Sequence, residues 1–298
     1  MKLNIFKTGL YAAMGLALAV SSCQKMDRPE LKEILLDPEP PAYNPLKSLW
    51  SFENNITDEG ENGLKGTVVN TSYVAGAKGQ ALKFGAGGYW VSDGRDTTVF
   101  PNEYSSLSYD SLSNLGSLTV SFWMNGTGPV VEAQGLFSIA HKSEFWGHFD
   151  VFLESNQAGM APDDAYFKVH IVNDGVSADK EQWIDAGAAS QLTGVFGKWT
   201  HIAFVYDAAT SSFTTYRDGA PTGVANRILH GGTYGRLKFN NVGGIVWGTH
   251  QFMTTPSLTS NHGAEGWARS FNGAIDQARI YNKALSAAEI NQLFTSKD

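Results

Sequence analysis

The sequence is poor in charge, in basic residues and in cysteine. Of its 298 residues only 17% are charged, and 22 lysines and arginines stand against 29 acidic residues, which gives a net charge of −7. A basic surface that could neutralise a phosphate backbone is not expected, so the composition argues against nucleic acid as a partner. Cys23 is the single cysteine, which excludes an internal disulfide.

Long apolar runs are also scarce, and the one that occurs lies at the start of the sequence. Residues 8–20 are apolar or small and follow Lys2 and Lys7. A run of about 13 residues is shorter than the ~20 that span a bilayer as a helix. A basic start before a short apolar run is the layout of an export signal. We interpret residues 1–22 as a signal peptide.

Residues 20–23 (Val-Ser-Ser-Cys) resemble the lipobox of bacterial lipoproteins. The resemblance implies cleavage before Cys23, a diacylglycerol on its thiol and an acyl chain on the new amino group; two or more chains anchor a protein stably to a membrane. Gln24 stands where an inner-membrane retention signal has aspartate, so the outer membrane or the cell surface is the expected location. The alternative is a plain secretory signal followed by a free cysteine.

The segment from Cys23 to Pro45 is rich in proline and has no sustained apolar period. Because proline interrupts helices and sheet ladders, we expect a lipidated, proline-rich tether over residues 23–45. One large domain is expected over residues 46–298, since all-β domains often reach this size.

Glycine and aromatic residues are abundant, and short stretches of alternating apolar and polar residues recur after Pro45. The sequence has 32 glycines and 12% aromatic residues, which suits strands joined by tight turns. Alternation at period two predicts half-buried strands at residues 46–52, 117–123, 148–154, 166–172, 198–206 and 212–217. A helix is predicted at residues 286–294, with Ser286 as its cap and Glu289 three residues on. The pattern indicates an all-β, antiparallel sandwich with a short C-terminal helix.

Residues 273–294 (GAIDQARIYNKALSAAEINQLF) resemble the closing strand and helix of laminin-G-like, concanavalin A-like jelly-roll domains. Residues 49–53 (LWSFE), 118–123 (LTVSFW) and 197–207 (GKWTHIAFVYD) agree with the same family in order, so the resemblance covers residues 46–298. It implies two curved antiparallel sheets, of which the concave one commonly carries carbohydrate. A fold alone names neither a ligand nor a reaction.

Strand alternation indicates where a sugar would lie. In residues 148–154 and 166–172, apolar side chains at every second position predict one buried face. The opposite face carries planar polar groups and aromatic rings, which suit sugar hydroxyls and sugar C–H faces. Its members are His148, Asp150, Phe152, Glu154, Tyr166, Lys168 and His170. The alternative is an ordinary solvated sheet face.

Tryptophans at strand ends or beside glycine-rich loops extend this list. Exposed indole rings stack on the apolar faces of sugars, so we expect carbohydrate contacts from Trp146, Trp183, Trp247 and Trp267, while Trp90 shares their setting. Packing in the core is the alternative for each. Three long loops are also predicted, at residues 93–116, 155–165 and 248–269, and long loops are commonly functional. The last contains Trp267, His250 and His262 and is expected to be a specificity loop.

A catalytic pair of carboxylates at usable spacing is missing from the predicted strands. Asp150 and Glu154 are four residues apart, which places them about 13 Å apart on a strand, beyond the ~5.5 Å of retaining and the ~9.5 Å limit of inverting glycosidases. Hydrolases of this fold begin a Glu-x-Asp-x-x-Glu type cluster where His148 stands here. Lyases of the fold use Arg, Gln, His and Tyr clusters, and Tyr166 and His170 have no matching arginine-rich strand.

Oxygen-bearing side chains gather in the loop after the first predicted strand, and such donors suit Ca²⁺. In the resembling family this loop and the aspartate of the last strand can share a calcium ion, which maps to Asp58, Asn62 and Asp276. The family's usual Ser-Ser-Gly is Glu-Gly-Glu at residues 59–61 here. We expect a structural Ca²⁺ with these ligands and Glu53 as a fourth; turn and backbone hydrogen bonds are the alternative.

These observations favour a surface or outer-membrane lipoprotein that binds carbohydrate without cleaving it and serves in polysaccharide capture. A poly- or oligosaccharide is the expected partner, with the membrane reached through the lipid anchor and other glycan-uptake proteins as candidate neighbours. The alternatives are a glycoside hydrolase or polysaccharide lyase on the same fold, and an adhesive lipoprotein that binds a protein.

Overall fold

The computed structural model describes residues 43–92 and 111–297. The predicted signal peptide, Cys23 and nearly all of the predicted tether lie outside these residues, as does most of the predicted loop at residues 93–116. Within the described ranges, no helix is both long enough and apolar enough to cross a membrane.

Strands dominate the described residues, and sixteen of them join one sheet. In chain order they are β1 (Leu46–Trp50), β2 (Gly66–Ala75), β3 (Gln80–Ser92), β4 (Leu118–Gly126), β5 (Ala133–His141), β6 (Phe149–Glu154), β7 (Ala165–Val172), β8 (Glu181–Ile184), β9 (Gln191–Leu192), β10 (Thr200–Asp207), β11 (Ser212–Arg217), β12 (Ala220–Pro221), β13 (Arg227–Ile228), β14 (Val242–Trp247), β15 (Ala268–Ser270) and β16 (Gly273–Tyr281). Short 3₁₀ turns lie at Gly187–Ser190, His230–Gly232 and Gln251–Met253, and the helix α1 spans Ala287–Ser296.

Strand β3 joins the two halves of the curled sheet. It pairs with β16 at Leu82 and Lys83, and with β14 at Trp90 and Val91. The strand order is β12-β11-β10-β4-β16-β3-β14-β5-β6-β7-β8, with β1 beside β16, β2 beside β3, β9 beside β7, β13 beside β11 and β15 beside β5. Only β15 and β5 run parallel among these pairs. We call one half of the sheet the β4 layer; it consists of β12, β11, β10, β4 and β16. We call the other half the β6 layer; it consists of β14, β5, β6, β7 and β8.

Apolar side chains from both layers form the main core. Phe122 and Phe204 come from the β4 layer, and Phe149 and Trp247 from the β6 layer. Trp50 of β1 packs edge-on against Trp247 with 5.7 Å between ring centroids. The two halves of the curled sheet therefore bury a single aromatic interior.

Helix α1 covers the outer face of the β4 layer. Ser286 and Glu289 form the predicted capping box, in which the Ser286 side chain accepts the Glu289 N–H and the Glu289 side chain accepts the Ser286 N–H. Ile290 is buried in a second apolar cluster with residues of β10 and β11, and Phe294 stacks on Trp123. The outer face of the β6 layer has no such helix among the described residues.

The predicted all-β jelly roll with a short C-terminal helix is confirmed. Six predicted strands correspond to β1, β4, β6, β7, β10 and β11. Asp218 and Gly219 have φ of 48° and 79°, as a two-residue type I′ hairpin turn requires. Strands β5 and β14 were not predicted, since nearly all of their residues are buried on both faces and show no alternation.

Candidate functional site

Strands β6 and β7 divide their side chains between two faces as the sequence predicted. The apolar residues at alternate positions lie in the main core; they are Phe149, Val151, Leu153, Phe167, Val169 and Ile171. The other alternate residues lie side by side on the opposite face, in the register pairs Asp150–His170, Phe152–Lys168 and Glu154–Tyr166. We call these six residues the outer face. Trp183 of β8 adjoins it, because its backbone pairs with His170.

The outer face is covered rather than open. Asp150, Phe152 and His170 are at most 3% exposed, and Tyr166 is 6% exposed. The reason is a loop: the ring of Trp146 lies parallel to that of Phe152 with 5.4 Å between centroids. The expectation of a continuous exposed surface is therefore wrong for these four residues. Only Glu154 and Lys168 keep side chains that are 26% exposed.

His170 is held between two carboxylates. Its Nδ1 lies 3.0 Å from Asp150 Oδ2, and its Nε2 lies 3.0 Å from Glu181 Oε1. Burial acts to lower the pKa of His170, but the two hydrogen bonds and the two negative charges outweigh it, and the pKa is raised. As an imidazolium, His170 donates to both carboxylates.

Glu181 extends this network to an indole ring. The hydrogen bond from His170 lowers the pKa of Glu181, and Trp183 Nε1 donates to the same Oε1 atom at 3.0 Å. The ring of Trp183 lies 4.5 Å from that of His170 and 5.2 Å, edge-on, from that of Trp146. An ion network that runs from the buried His170 to the exposed Glu181 thus orients a partly exposed tryptophan.

A second ion network lies at the other end of the outer face. Lys168 Nζ donates to Glu154 Oε2 at 2.9 Å and lies 3.5 Å from Asp185 Oδ2. Burial acts to lower the pKa of Lys168, but these carboxylates raise it overall. Tyr166 donates its hydroxyl to Asp185, and burial together with that carboxylate raises the pKa of Tyr166 to about 12. All four groups are mutually satisfied, which fixes the polar edge of the site.

A cavity of about 590 Å³ opens beside the His170 network. Phe145 and Trp146 supply an apolar wall, and the polar groups include His148, His170 and Glu181. Sites for small ligands are commonly about 300–1,000 Å³ and combine aromatic walls with a few fixed polar groups. The volume and lining both suit one or two sugar rings.

His148 lies at this cavity but not on the outer face, since β6 begins at Phe149. Its side chain is fully buried, and neither ring nitrogen has a hydrogen-bond partner among the described residues. Burial, with a further contribution from His141, lowers the pKa of His148 to about 4. The ring stacks on Phe239 at 4.9 Å. A neutral imidazole that makes no hydrogen bond among the described residues therefore lines the cavity, with its Nδ1 3.6 Å from Asp174 Oδ2.

The predicted specificity loop reaches the same place. Trp267 is 40% exposed, and its ring lies 6.0 Å from Trp146 and 5.6 Å from Phe252. His262 packs edge-on against Phe145. We call Phe145, Trp146, Phe152, Trp183, Phe252 and Trp267 the aromatic cluster. His250 is buried beneath it, and burial lowers its pKa to about 4.

Trp247 does not belong to the site. It is fully buried in the main core, with its ring 4.3 Å from that of Phe137. The expectation that it stacks on a sugar is corrected, because every residue of β14 is buried and this side chain faces inward. Trp90 is likewise fully buried, 5.0 Å from Trp50.

Sequence reasoning missed several members of the site. Phe145, Phe252 and Glu181 were not predicted, although Glu181 stands two residues from Trp183 and alternate positions of one strand share a face. The two-residue spacing from Trp183 was therefore the sequence signal that placed Glu181 on the same face. Phe145 and Phe252 lie in irregular segments, where periodicity gives no direction.

The predicted calcium ligands do not form one site. Asp58 Oδ1 accepts the backbone N–H groups of Leu49 and Gly60, and its Oδ2 accepts that of Leu64. Asn62 donates to Ser48 Oγ at 3.0 Å and accepts from Ser111. These two side chains hold the loop together instead of facing a common point, which corrects the four-residue ligand set.

Asp276 and Glu53 meet elsewhere, at the β2–β3 turn. Asp276 Oδ2 accepts the Lys78 N–H at 3.0 Å, and Glu53 Oε2 accepts the Gln80 N–H at 3.0 Å. Asp276 Oδ1 is buried without a hydrogen-bond partner among the described residues. Burial, with a contribution from Glu53, raises the pKa of Asp276 to about 6. Across residues 43–92 and 111–297, no three Asp, Glu, His or Cys side chains converge as a metal site.

Solved structures show the same fold at low sequence identity. The binding domain of botulinum neurotoxin DC, solved in complex with rat synaptotagmin II, matches 84% of this chain and 51% of that one at 15% identity, with a TM-score of 0.52. A structure of botulinum neurotoxin type C, whose cell entry is described as dependent on interaction with two ganglioside molecules, matches 84% and 50% at 14% identity, with a TM-score of 0.52. This chain therefore spans about half the length of the toxin chains that it matches.

A third match is domain 4 of an extracellular arabinanase from Geobacillus stearothermophilus in complex with arabinotriose. It covers 83% of this chain and 97% of that one at 17% identity, with a TM-score of 0.49. No curated protein sequence matches this chain.

A family model settles the relationship that these structures leave at the level of fold. Residues 97–291 match the Laminin G 3 model, described as the concanavalin A-like lectin/glucanases superfamily. The match includes strands β4 to β16, and with them the outer face, the cavity and the aromatic cluster. The chain belongs to the Laminin G 3 family of concanavalin A-like lectins and glucanases.

Proposed function

We propose that this protein binds a poly- or oligosaccharide, without cleaving it, at the cavity and the aromatic cluster. One observation carries the proposal: two partly exposed indole rings, Trp146 and Trp183, adjoin a cavity in which His170 and Glu181 are already fixed by a hydrogen bond. Sugars offer apolar C–H faces and rings of hydroxyls, so they are bound by aromatic plates next to oriented polar groups.

The order of the site before binding supports this reading. Trp183 is oriented by its hydrogen bond to Glu181, and Trp146 rests on Phe152. Side chains that are already immobilised lose little conformational entropy when a ligand arrives, which otherwise costs about 0.5–1.5 kcal/mol for each flexible side chain. A preformed aromatic surface therefore favours binding of a flexible, hydrated ligand such as a glycan.

The two carboxylates of the outer face, and that of Glu181 beside it, support binding rather than hydrolysis. A glycosidase needs a carboxyl with a raised pKa as its acid and a second carboxylate across the scissile bond. Asp150 is hydrogen-bonded to His170, and Glu154 forms an ion pair with Lys168. The pKa of Glu181 is lowered. These three side chains serve as structural anions and hydrogen-bond acceptors.

The test is a polysaccharide panel probed by affinity electrophoresis with the purified wild-type protein and with Trp146→Ala/Trp183→Ala. We expect retention by at least one glycan that the double variant loses. New reducing ends or unsaturated products after incubation would instead indicate a hydrolase or a lyase. Absence of retention on every glycan would favour the adhesive alternative.

We also propose that the mature chain starts at Cys23 and is held at the outer membrane or the cell surface by lipid. The support is the short apolar run, the lipobox-like residues 20–23 and the single cysteine. Cys23→Ala should leave an uncleaved or soluble protein, because it removes the acyl attachment points. Unchanged membrane fractionation of this variant would contradict the anchor.

Calcium remains a proposal with a smaller ligand set. Asp276 and Glu53 are the two predicted ligands that lie close together, and Asp276 Oδ1 is buried without a partner among the described residues. A hard cation between these oxygens would relieve both the burial of charge and the repulsion between the carboxylates. Asp58 and Asn62 are no longer part of the proposal.

A further inference from the structure

The cavity beside the aromatic cluster has a one-sided charge. Four carboxylates line it, from Glu144, Asp174, Asp179 and Glu181, against a single lysine. The Nζ atom of that lysine, Lys180, lies 3.3 Å from Asp174 Oδ1, so its charge is already paired. A ligand that enters the cavity therefore meets a surplus of negative charge.

The histidines of the cavity do not offset this surplus. Burial lowers the pKa of both His141 and His148, so both are neutral at pH 7. His170 carries a positive charge between its two carboxylates, and the buried Asp150 behind it balances that charge. The cavity lining is therefore negative overall: its two positive groups, Lys180 and His170, are already paired with carboxylates, and its other histidines are neutral.

His148 adds a buried polar group to the cavity lining. Its side chain is 0% exposed and lines the cavity, its Nδ1 lies 3.6 Å from Asp174 Oδ2, beyond hydrogen-bond distance, and neither ring nitrogen has a hydrogen bond among the described residues. A buried polar group without a hydrogen bond destabilises the folded protein, so a ligand group that bonds to it is favoured. In either tautomer a neutral imidazole keeps one nitrogen lone pair, which accepts a hydrogen bond from an N–H or O–H donor.

The apolar wall of the cavity also favours a positively charged ligand group. Phe145 and Trp146 line it with aromatic rings, whose faces are electron-rich and attract cations. Carboxylates, an imidazole lone pair and aromatic faces all favour a donor that carries positive charge. None of these groups favours an anion.

We propose, building on the carbohydrate-binding function above, that the sugar residue entering this cavity bears a free amino group and is bound as its ammonium form. The ammonium lies among the carboxylates of Asp174, Asp179 and Glu181, and the sugar ring packs on Trp146. Uronic acids, sialic acids and sulfated sugars are repelled by the same carboxylates. An N-acetylated sugar retains the shape but loses the charge.

The test compares oligosaccharides of equal length, three of which differ only in the group at carbon 2. Isothermal titration with β-1,4-linked oligomers of glucosamine, N-acetylglucosamine and glucose isolates the amino group, and galacturonate oligomers supply the anion. We expect the glucosamine oligomer to bind about tenfold or more tightly than its N-acetylated counterpart at low salt, with a difference that shrinks as salt screens the charges. The galacturonate oligomer should not bind.

A charge-matched pair of variants assigns the preference to the cavity. Glu144→Gln/Asp179→Asn neutralises two carboxylates of the cavity at exposed positions, and Asp179 has a φ of 45°, which asparagine tolerates. Asp163→Asn/Asp207→Asn removes the same charge from two residues outside it. The first pair should reduce the preference for glucosamine, and the second should leave it unchanged.

The outcomes separate this inference from the function on which it rests. Binding of a neutral or acidic oligomer with no preference for the amine would overturn the ammonium site and leave carbohydrate binding intact. A preference that both variant pairs change equally would place the effect in the overall charge of the protein and would also overturn it. Failure of every glycan in this set and in the wider panel would overturn both proposals.

Discussion

The indole ring of Trp146 lies parallel to the phenyl ring of Phe152, with centroids 5.4 Å apart and planes 10° apart. Trp146 belongs to the loop before β6, whereas Phe152 is a residue of that strand and is almost fully buried. The surface offered to a ligand therefore combines the loop residue Trp146, which rests on β6, with Trp183 of β8. This arrangement makes the aromatic cluster depend on the outer face even though a ligand reaches little of that face directly.

Two tryptophans that look alike in sequence should respond in opposite ways to truncation. Trp247 is fully buried among core aromatics, whereas Trp267 is 40% exposed at the aromatic cluster. Trp247→Ala should lower the free energy of unfolding by about 3–5 kcal/mol. Trp267→Ala should lower it by less than about 1 kcal/mol but weaken glycan retention. Chemical denaturation and affinity electrophoresis measure the two effects; a large stability loss in Trp267→Ala would contradict the assignment.

Stability should fall above neutral pH because of His170. The pKa of His170 is raised in the folded state, so its bound proton stabilises the fold fully below the unfolded value of about 6.5 and progressively less as pH rises through the folded pKa. His170→Gln should be less stable near pH 6 and should show a flatter decline above about pH 6.5.

Above about pH 6.5, the effect of His170 on stability is separate from the effects of the other buried histidines. The pKa values of His148, His201 and His250 are lowered to about 4, so those groups cost stability as pH falls below about 6.5. Denaturant midpoints measured across pH for wild type and His170→Gln make the comparison. Parallel curves above pH 6.5 would contradict a raised pKa at His170.

Asp58 should stabilise the first loop whether or not calcium is present. Its carboxylate accepts three backbone N–H groups, from Leu49, Gly60 and Leu64, and Asp58→Ala would leave them without this acceptor. The expected loss is at least about 2 kcal/mol, since hydrogen bonds to charged groups contribute about 1.5–3 kcal/mol each. Asp58→Asn, which keeps the oxygen shared by Leu49 and Gly60, should lose less. A loss seen only with calcium would show that Asp58 is a ligand after all.

Calcium should raise the melting temperature through Asp276. An ion bound only by the folded state stabilises it by about 2.7 kcal/mol at a hundredfold excess over Kd, which is worth several degrees in a domain of this size. Chelation with EDTA should lower the melting temperature of the wild type and added calcium should restore it, whereas Asp276→Asn should not respond. An unmoved wild-type melting curve would end the calcium proposal and leave Asp276 as a cap of the β2–β3 turn.

The sequence predicted strands well where one face of a strand is polar. In β6 and β7 the alternation identified which residues share the outer face, because core and outer positions have different chemistry. The prediction for Trp247 failed because β14 is buried on both faces, so its sequence pattern does not show which face each side chain lies on. The alternation also failed to show that Asp150 and His170 are covered, because their cover comes from Trp146 and Trp183, whose positions depend on loop and β8 packing.

The prediction of the calcium ligands failed for a related reason. An aspartate in a glycine-containing loop suits a cation and suits backbone N–H groups equally, and spacing along the chain does not distinguish the two. Only the positions of the Leu49, Gly60 and Leu64 amides show which role Asp58 has. The cavity is likewise invisible in sequence, since Glu144, Asp174 and Glu181 come from three separate segments.

The central claim is that glycan binding occurs at the aromatic cluster, and it is tested most directly by isothermal titration of the best ligand from the panel against Trp146→Ala and Trp199→Ala. Trp199 is a half-buried tryptophan just before β10 and outside the cluster, so it controls for the loss of any indole ring. The account predicts at least a tenfold loss of affinity, about 1.4 kcal/mol, in Trp146→Ala and an unchanged affinity in Trp199→Ala, with both variants folded by circular dichroism. Equal affinities in wild type and Trp146→Ala would contradict it.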